Sequence, residues 1–279
     1  MPYSAQISRT NPACILLLID QSGSMEKPFA ERPDECKAAV VAEAVNSLLR
    51  NLVLRSAKAD GVRDYFHVGV IGYGLKVAAK LGGKLPGDVL VPISKLADKP
   101  LRVEKRTKYV RDELGEVAEQ TAKFPVWFDA EAKGKTPMVE AFAAAADTVD
   151  RFVAKYPDAY PPIVLNLTDG HSTDGNPQAN ARTVRSMATS DGNALVFNLL
   201  MTTDPTLPTY FLHDEGLIAD LYSKLLFRMS SELPEPMFRA ARAEGFVVEP
   251  KARGVVFNAD PTAIVRFLDI GTRVSPITR

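Results

Sequence analysis

Ile15-Leu16-Leu17-Leu18-Ile19-Asp20-Gln21-Ser22-Gly23-Ser24 is the stretch on which the fold turns. The uninterrupted apolar run to which it belongs, Ala13 to Ile19, is bounded by Pro12 upstream and a Ser-Gly-Ser turn downstream and is far short of the roughly 20 residues a membrane span needs. Apolarity without alternation is the mark of a strand buried on both faces, as in a parallel sheet. Outward from this strand, Ala38, Val41, Val45, Leu48, Leu49 and Leu52 fall at spacings of three and four, predicting an amphipathic helix from about Asp34 to Ala57. Phe66 to Ile71 reads as a second strand, with Val77 to Leu81 as a short edge strand beside it. Thr136 to Tyr156 reads as a long helix opened by Thr-Pro. Ile163 to Leu167 and Ala194 to Leu200 read as further strands, and Gly254 to Asn258 as a last one. Helices are expected over Gln178 to Ala188, Leu217 to Ser230, Glu235 to Glu244 and Pro261 to Asp269. Strands alternating with helices predict an α/β fold: a doubly wound, mostly parallel sheet flanked by helices, Rossmann-like in architecture.

The chain has 279 residues, 46% apolar and 24% charged, the composition of an ordinary globular protein. Its 34 Lys+Arg balance its 34 Asp+Glu, so no overall charge draws it to nucleic acid or an anionic membrane, and neither is expected as a partner. A local patch is not excluded by that balance. Arg9 precedes the apolar run, but the run ends in Asp20 with no small-residue cleavage pattern, so a signal peptide is not expected. Two cysteines, Cys14 and Cys36, in so long a chain fit a reducing, cytoplasmic setting with both as free thiols. We read residues 1–279 as a single domain. An insertion is expected at about 82–128, holding Gly82-Gly83 and a helix over Tyr109 to Ala122, and an extension after about 200.

Three short motifs fall where strands end or helices begin: Asp20-Gln21-Ser22-Gly23-Ser24, Gly134-Lys135-Thr136-Pro137-Met138, and Thr168-Asp169-Gly170. In open α/β sheets ligands collect beyond the carboxyl ends of the strands. Asp20, Ser22, Ser24, Thr136 and Asp169 would then offer two carboxylates and three hydroxyls on one edge. An all-oxygen set suits a hard cation such as Mg²⁺ or Mn²⁺, and its lack of His and Cys argues against zinc. Three neutral ligands leave a divalent ion electrophilic, ready for an Asp or Glu carboxylate from a protein partner.

In these residues the chain resembles the von Willebrand factor type A (VWA) domain, intracellular bacterial members in particular. The metal-ion-dependent adhesion site (MIDAS) of that family is built from the same three pieces. The resemblance implies metal contact through Ser22 and Ser24, with Asp20, Thr136 and Asp169 bound directly or through water. It also implies a metal-dependent protein–protein interaction module, set in a stress-response or tellurite-resistance system with a Ser/Thr kinase and phosphatase. An adaptor for an AAA-type ATPase of the chelatase or cofactor-insertion kind is the alternative. The family further implies that the last helices, here Leu217 to Glu244, move on ligation. The stretch between Ser24 and Thr136 is longer than the family pattern.

Catalysis is not expected. An aspartyl phosphatase needs a second Asp two residues after the first, where this chain has Ser22. Ser22 lacks the Gly-x-Ser-x-Gly setting and His base of a serine hydrolase. The alternating acidic ligands of an EF-hand are missing, and Gly72-Tyr73-Gly74-Leu75-Lys76 is no P-loop. His171 and Asp174 follow the third motif and are candidates for the rim of the site. His67 alternates within a strand and reads as structural. Trp127 and Phe128 read as packing beneath the loop that carries Thr136, with presentation to a partner as the alternative.

Overall fold

The structure is a computed structural model and describes residues 2–29, 32–82, 85, 89–111, 117–202 and 207–272. Five parallel strands form its centre, in the spatial order Val255–Ala259, Leu195–Met201, Ile163–Thr168, Ala13–Asp20, Phe66–Tyr73. Antiparallel edge strands close both sides. Thr209–Tyr210 pairs with Val255–Ala259, while Val77–Ala79 and Leu90–Pro92 share the free edge of Phe66–Tyr73. This is the expected α/β class, a mostly parallel sheet wound on both faces.

The first strand shows why its apolar run is continuous. Ile15, Leu17 and Ile19 face a layer built from α1 (Lys37–Ser56), α2 (Ile93–Asp98) and α7 (Pro261–Gly271). Leu16 and Leu18 face α3 (Met138–Lys155), α4 (Gln178–Ser186) and α5 (Leu221–Met229). All five are buried, each contributing about 1.5–3 kcal/mol by leaving water. α6 (Glu235–Ala243) packs beside α7 through Ala241 and Ile270. Residues after 200 supply α5, α6, α7 and the strand Val255–Ala259.

Sheet order also locates the switch point. From Ala13–Asp20 the chain goes outward to Phe66–Tyr73, then crosses to Ile163–Thr168 on the other side of the first strand. The crevice between Asp20 and Thr168 is therefore where a doubly wound sheet opens to ligands.

One expectation is overturned. Tyr109 to Ala122 is not a helix: Arg102–Arg111 and Val117–Val126 are strands paired antiparallel, with Arg106 opposite Ala122. Residues 112–116, in the middle of the expected helix, lie outside the described residues, as do Gly83 and Pro86. The β-favouring residues Tyr109, Val110, Val117 and Thr121 fit strands, and pairing overrides weak helical spacing. Arg106 ties the ribbon to the body of the protein. Its guanidinium lies 3.5 Å from the Phe124 ring centre and donates to both Glu43 carboxylate oxygens on α1, at 2.6 and 2.8 Å.

The two aromatics after the ribbon are buried. Trp127 is 1% exposed and its indole N–H donates to the Leu96 carbonyl. The buried Asn46 side chain on α1 accepts from the Trp127 and Phe128 amides and donates to the Ala42 and Phe128 carbonyls. Cys14 is buried and Cys36 half-buried, and both are free thiols. Burial pushes the Cys14 thiol pKa up, which keeps it protonated and unreactive. No helix among the described residues is long and apolar enough to cross a membrane.

Candidate functional site

The site begins with Asp20, at the end of the first strand and with no exposed surface. One carboxylate oxygen accepts from the Ser22 amide at 2.8 Å, the other from the Thr168 hydroxyl at 2.7 Å. Burial pushes its carboxyl up to about 6, against the downward pull of the hydrogen bonds from Ser22 and Thr168, and nearby Asp169 adds to the rise. The Ser22 and Ser24 hydroxyls lie 3.0 Å apart, and Ser24 donates to Asp169 at 2.6 Å. Asp20, Ser22, Ser24 and Asp169 thus form one hydrogen-bonded cluster at the switch point, linked through the two serines, with Thr168 fastened to Asp20.

Thr136 reaches the same rim through its backbone. Lys133 N–H donates to the Gln21 carbonyl at 2.6 Å and Gly23 N–H to the Gly134 carbonyl at 3.1 Å, binding the second motif's loop to the first. Two glycines permit that approach. A Cβ on Gly74 would lie 2.5 Å from the Lys133 carbonyl oxygen and 2.6 Å from that of Gln21. Gly134 has φ +94°, and a Cβ there would meet the Leu75 nitrogen at 2.5 Å. Thr136 and Thr173 then lock the second loop to the third, each donating an amide hydrogen to the other, Thr136 to the Thr173 hydroxyl and Thr173 to the Thr136 carbonyl.

Asp174 serves the scaffold. Its carboxylate accepts from the Val139 and Glu140 amides, both at 3.0 Å, capping α3 from a distant loop where Pro137 offers no capping side chain. Burial would raise its pKa, but these hydrogen bonds and that of Ser172 outweigh it and hold the group below the ordinary carboxylate range. His171 is exposed and stacks on Tyr222 with ring centres 4.0 Å apart. Tyr222 donates its hydroxyl to the Gly170 carbonyl, so the N-terminal turn of α5 rests on the third motif. His67 packs in the strand against Phe152 and Tyr156, at 6.0 and 5.3 Å between ring centres.

Two features escaped the sequence reading. Lys37, the first residue of α1, donates to the second Asp169 oxygen at 2.5 Å, with side-chain exposures of 4% and 1%. A cation at a helix N-terminus opposes the helix dipole, so local preference does not account for it. Its signal was present: Lys37 lies four residues before Val41 and eight before Val45, extending the buried stripe of α1 by one turn. The second feature is a buried polar chain beneath the site. Tyr73 donates to Asn166, Asn166 to Asn198 and Asn198 to Ser230, at 2.7, 3.0 and 2.9 Å. Asn166 and Asn198 are register partners on adjacent strands. Each breaks an otherwise apolar strand, and that interruption was the readable sign.

The donor set fits a hard divalent ion: two carboxylates and three hydroxyls, with an ammonium group already standing as a cation on Asp169. Among the described residues no three His, Cys, Asp or Glu are grouped to hold a metal, so such an ion would depend on the hydroxyls.

No protein-family model matches the sequence, and no curated protein matches it. Among solved structures, the chain is similar to proximal thread matrix protein 1 (PTMP1) from the mussel byssus, at 13% identity and TM-score 0.49, over 96% of this chain and 48% of that one. A second structure of that protein, with a zinc-occupied MIDAS motif, gives 12% identity and TM-score 0.47 over the same shares. Manganese-loaded Plasmodium vivax TRAP protein gives 13% identity and TM-score 0.41, over 93% of this chain and 72% of that one. The chain thus spans about half the length of the mussel protein it resembles.

Proposed function

We propose that the chain is a metal-dependent protein-interaction module of VWA type, with Asp20, Ser22, Ser24, Thr136 and Asp169 holding a Mg²⁺ or Mn²⁺ ion. The observation that carries this reading is the cluster at the switch point, in which the first and third loops bring oxygen donors together around Asp20 and Asp169, with the Thr136 loop tied to both through hydrogen bonds of its backbone. The ion would supply an electrophilic position for an Asp or Glu side chain of a protein partner. Charge supports an acidic partner: a divalent ion would offset the two carboxylates, and Lys37 would leave the loaded site with a net positive charge. The reading is of a binding module and not an enzyme.

Titration of the pure protein with Mn²⁺ in a calorimeter tests the first step, with one-to-one binding expected for the wild type and none for Asp20→Ala. The second step is retention of a partner in Mg²⁺ and its release in EDTA. Recovery of a kinase or phosphatase, or of an AAA-type ATPase, discriminates the two expected cytoplasmic settings.

The Lys37–Asp169 pair favours a second reading, in which the ammonium group is the site's own cation and a partner carboxylate binds without metal. Equal partner affinity in Mg²⁺ and EDTA, lost in Lys37→Met, would select it.

A further inference from the structure

The opposite edge of the sheet carries a cleft of about 730 Å³, within the range of small-ligand sites. Its position follows from the strand directions. Leu195, which lines the cleft, begins its strand, whereas Asp20 and Thr168 end theirs. The cleft and the candidate metal site are therefore separate.

Its lining holds four arginines, Arg182, Arg185, Arg228 and Arg253, against one carboxylate, Glu232. Arg228 is neutralised by Glu215, at 2.9 and 2.5 Å. The other three have no ion-pair partner among the described residues. Two of them are fixed in place: Arg185 donates to the Arg228 carbonyl at 2.8 Å, and Arg253 to the Ser230 carbonyl at 2.6 Å. Those carbonyls end α5, and each bond uses one N–H of a guanidinium that carries five. Burial lowers the Arg185 pKa, and the positive charges of Arg253 and Arg182 lower it further against the opposing pull of Glu232, a mark of cations crowded into a half-buried space. A guanidinium keeps its charge even so. A chain of zero net charge has concentrated an excess of cations in one concave place, three arginines outside any described ion pair against the single carboxylate of Glu232.

The N-terminal part of the lining is also held in place. Asp191 accepts from the Ser4 and Ala5 amides, both at 2.9 Å, and the Tyr3 amide donates to the Asp191 carbonyl. Tyr3 also donates its hydroxyl to the Asn193 carbonyl at 3.2 Å, which holds its ring at the cleft.

We propose that this cleft binds the phosphate group of a small phosphorylated ligand, with Arg182, Arg185 and Arg253 taking the anion and Tyr3 flanking the ligand's body. Pre-positioned guanidinium forks match phosphate oxygens in geometry as well as charge. The cleft's volume suits a mononucleotide-sized molecule better than a polymer.

Calorimetry in EDTA and low salt, with inorganic phosphate, pyrophosphate and AMP as probes, tests the proposal apart from the metal site. Saturable one-to-one binding of at least one probe is expected, weakening as salt rises. Arg182→Glu is expected to reduce affinity at least tenfold. Arg182 is exposed and makes no described hydrogen bond or ion pair, so this variant should fold as the wild type does. Arg185→Gln should weaken binding likewise, and Asp20→Ala should leave it unchanged. AMP binding more tightly than inorganic phosphate would add the Tyr3 wall to recognition, and equal affinity would confine recognition to the phosphate. No saturable binding of any probe, binding undiminished in Arg182→Glu, or binding lost in Asp20→Ala would each overturn the proposal. None of these results bears on whether Mn²⁺ binds at Asp20.

Discussion

Replacing Lys37 with methionine removes a buried cation while keeping most of the side chain's bulk. Asp169 would keep only the Ser24 hydroxyl of its two close partners, with a carboxylate that is 1% exposed. Removing one member of a buried ion pair costs about 3–5 kcal/mol, because the remaining charge is left uncompensated. At about 2–4 °C per kcal/mol for a chain of this size, the metal-free variant should melt on the order of 10 °C below the wild type. The same free energy should return on metal binding. In the wild type an ion arriving at Asp169 must displace the ammonium group or share the carboxylate with it; in the variant it meets an unpaired carboxylate. Mn²⁺ should therefore bind Lys37→Met about two to three orders of magnitude more tightly. Saturating Mn²⁺ should recover the lost melting temperature. Thermal melts in EDTA and in Mn²⁺, with calorimetric Mn²⁺ titrations of both proteins, measure both quantities. A variant that melts within about 2 °C of the wild type in EDTA and binds Mn²⁺ no more tightly would refute the reasoning.

Other residues yield independent tests. Asp20→Asn keeps a polar group that can accept from Ser22 and donate to the rotatable Thr168 hydroxyl, while relieving a carboxylate whose ionised form burial disfavours. At pH 8 it should melt at or above the metal-free wild type yet show no Mn²⁺ binding by calorimetry. Asn46→Ala strands two amides and two carbonyls between α1 and Phe128 and should cost about 2–4 kcal/mol in urea denaturation. His67 has its pKa lowered by burial and by Lys155 and Lys95, with Asp64 opposing. Below pH about 6.5 the unfolded chain takes up a proton that the folded one resists, so stability should fall as pH drops. His67→Gln should flatten the dependence of stability on pH between about 5 and 7.

How much of this was legible in the sequence depends on the range of the interaction. Continuous apolarity in Ile15–Ile19 requires burial on both faces, and the three- and four-residue spacings from Ala38 to Leu52 require one buried helical face. These are local periodicities, and the structure has the strands and helices they predict. The oxygen donors were readable because Asp20, Ser22 and Ser24 lie together after a strand, and because Thr136 and Asp169 mark other element ends. The helix expected at Tyr109 to Ala122 failed because a two-stranded ribbon is held by cross-strand bonds such as that between Arg106 and Ala122, which the spacing of residues along one segment does not reveal.

Strand order, and with it the meeting of Asp20 with Thr168, is also non-local. So is the role of Lys37: its place on the buried stripe is visible in the sequence, but its partner lies 132 residues away. The arginine cleft is the extreme case, drawing on α4, the end of α5, the approach to the last strand and the N-terminal segment, which lie far apart in the sequence. Sequence alone determined which surfaces had to leave water and which short motifs could supply oxygen donors, because both follow from neighbours in the chain. Tertiary structure alone decided which charges met, because electrostatic partners are chosen by distance in space.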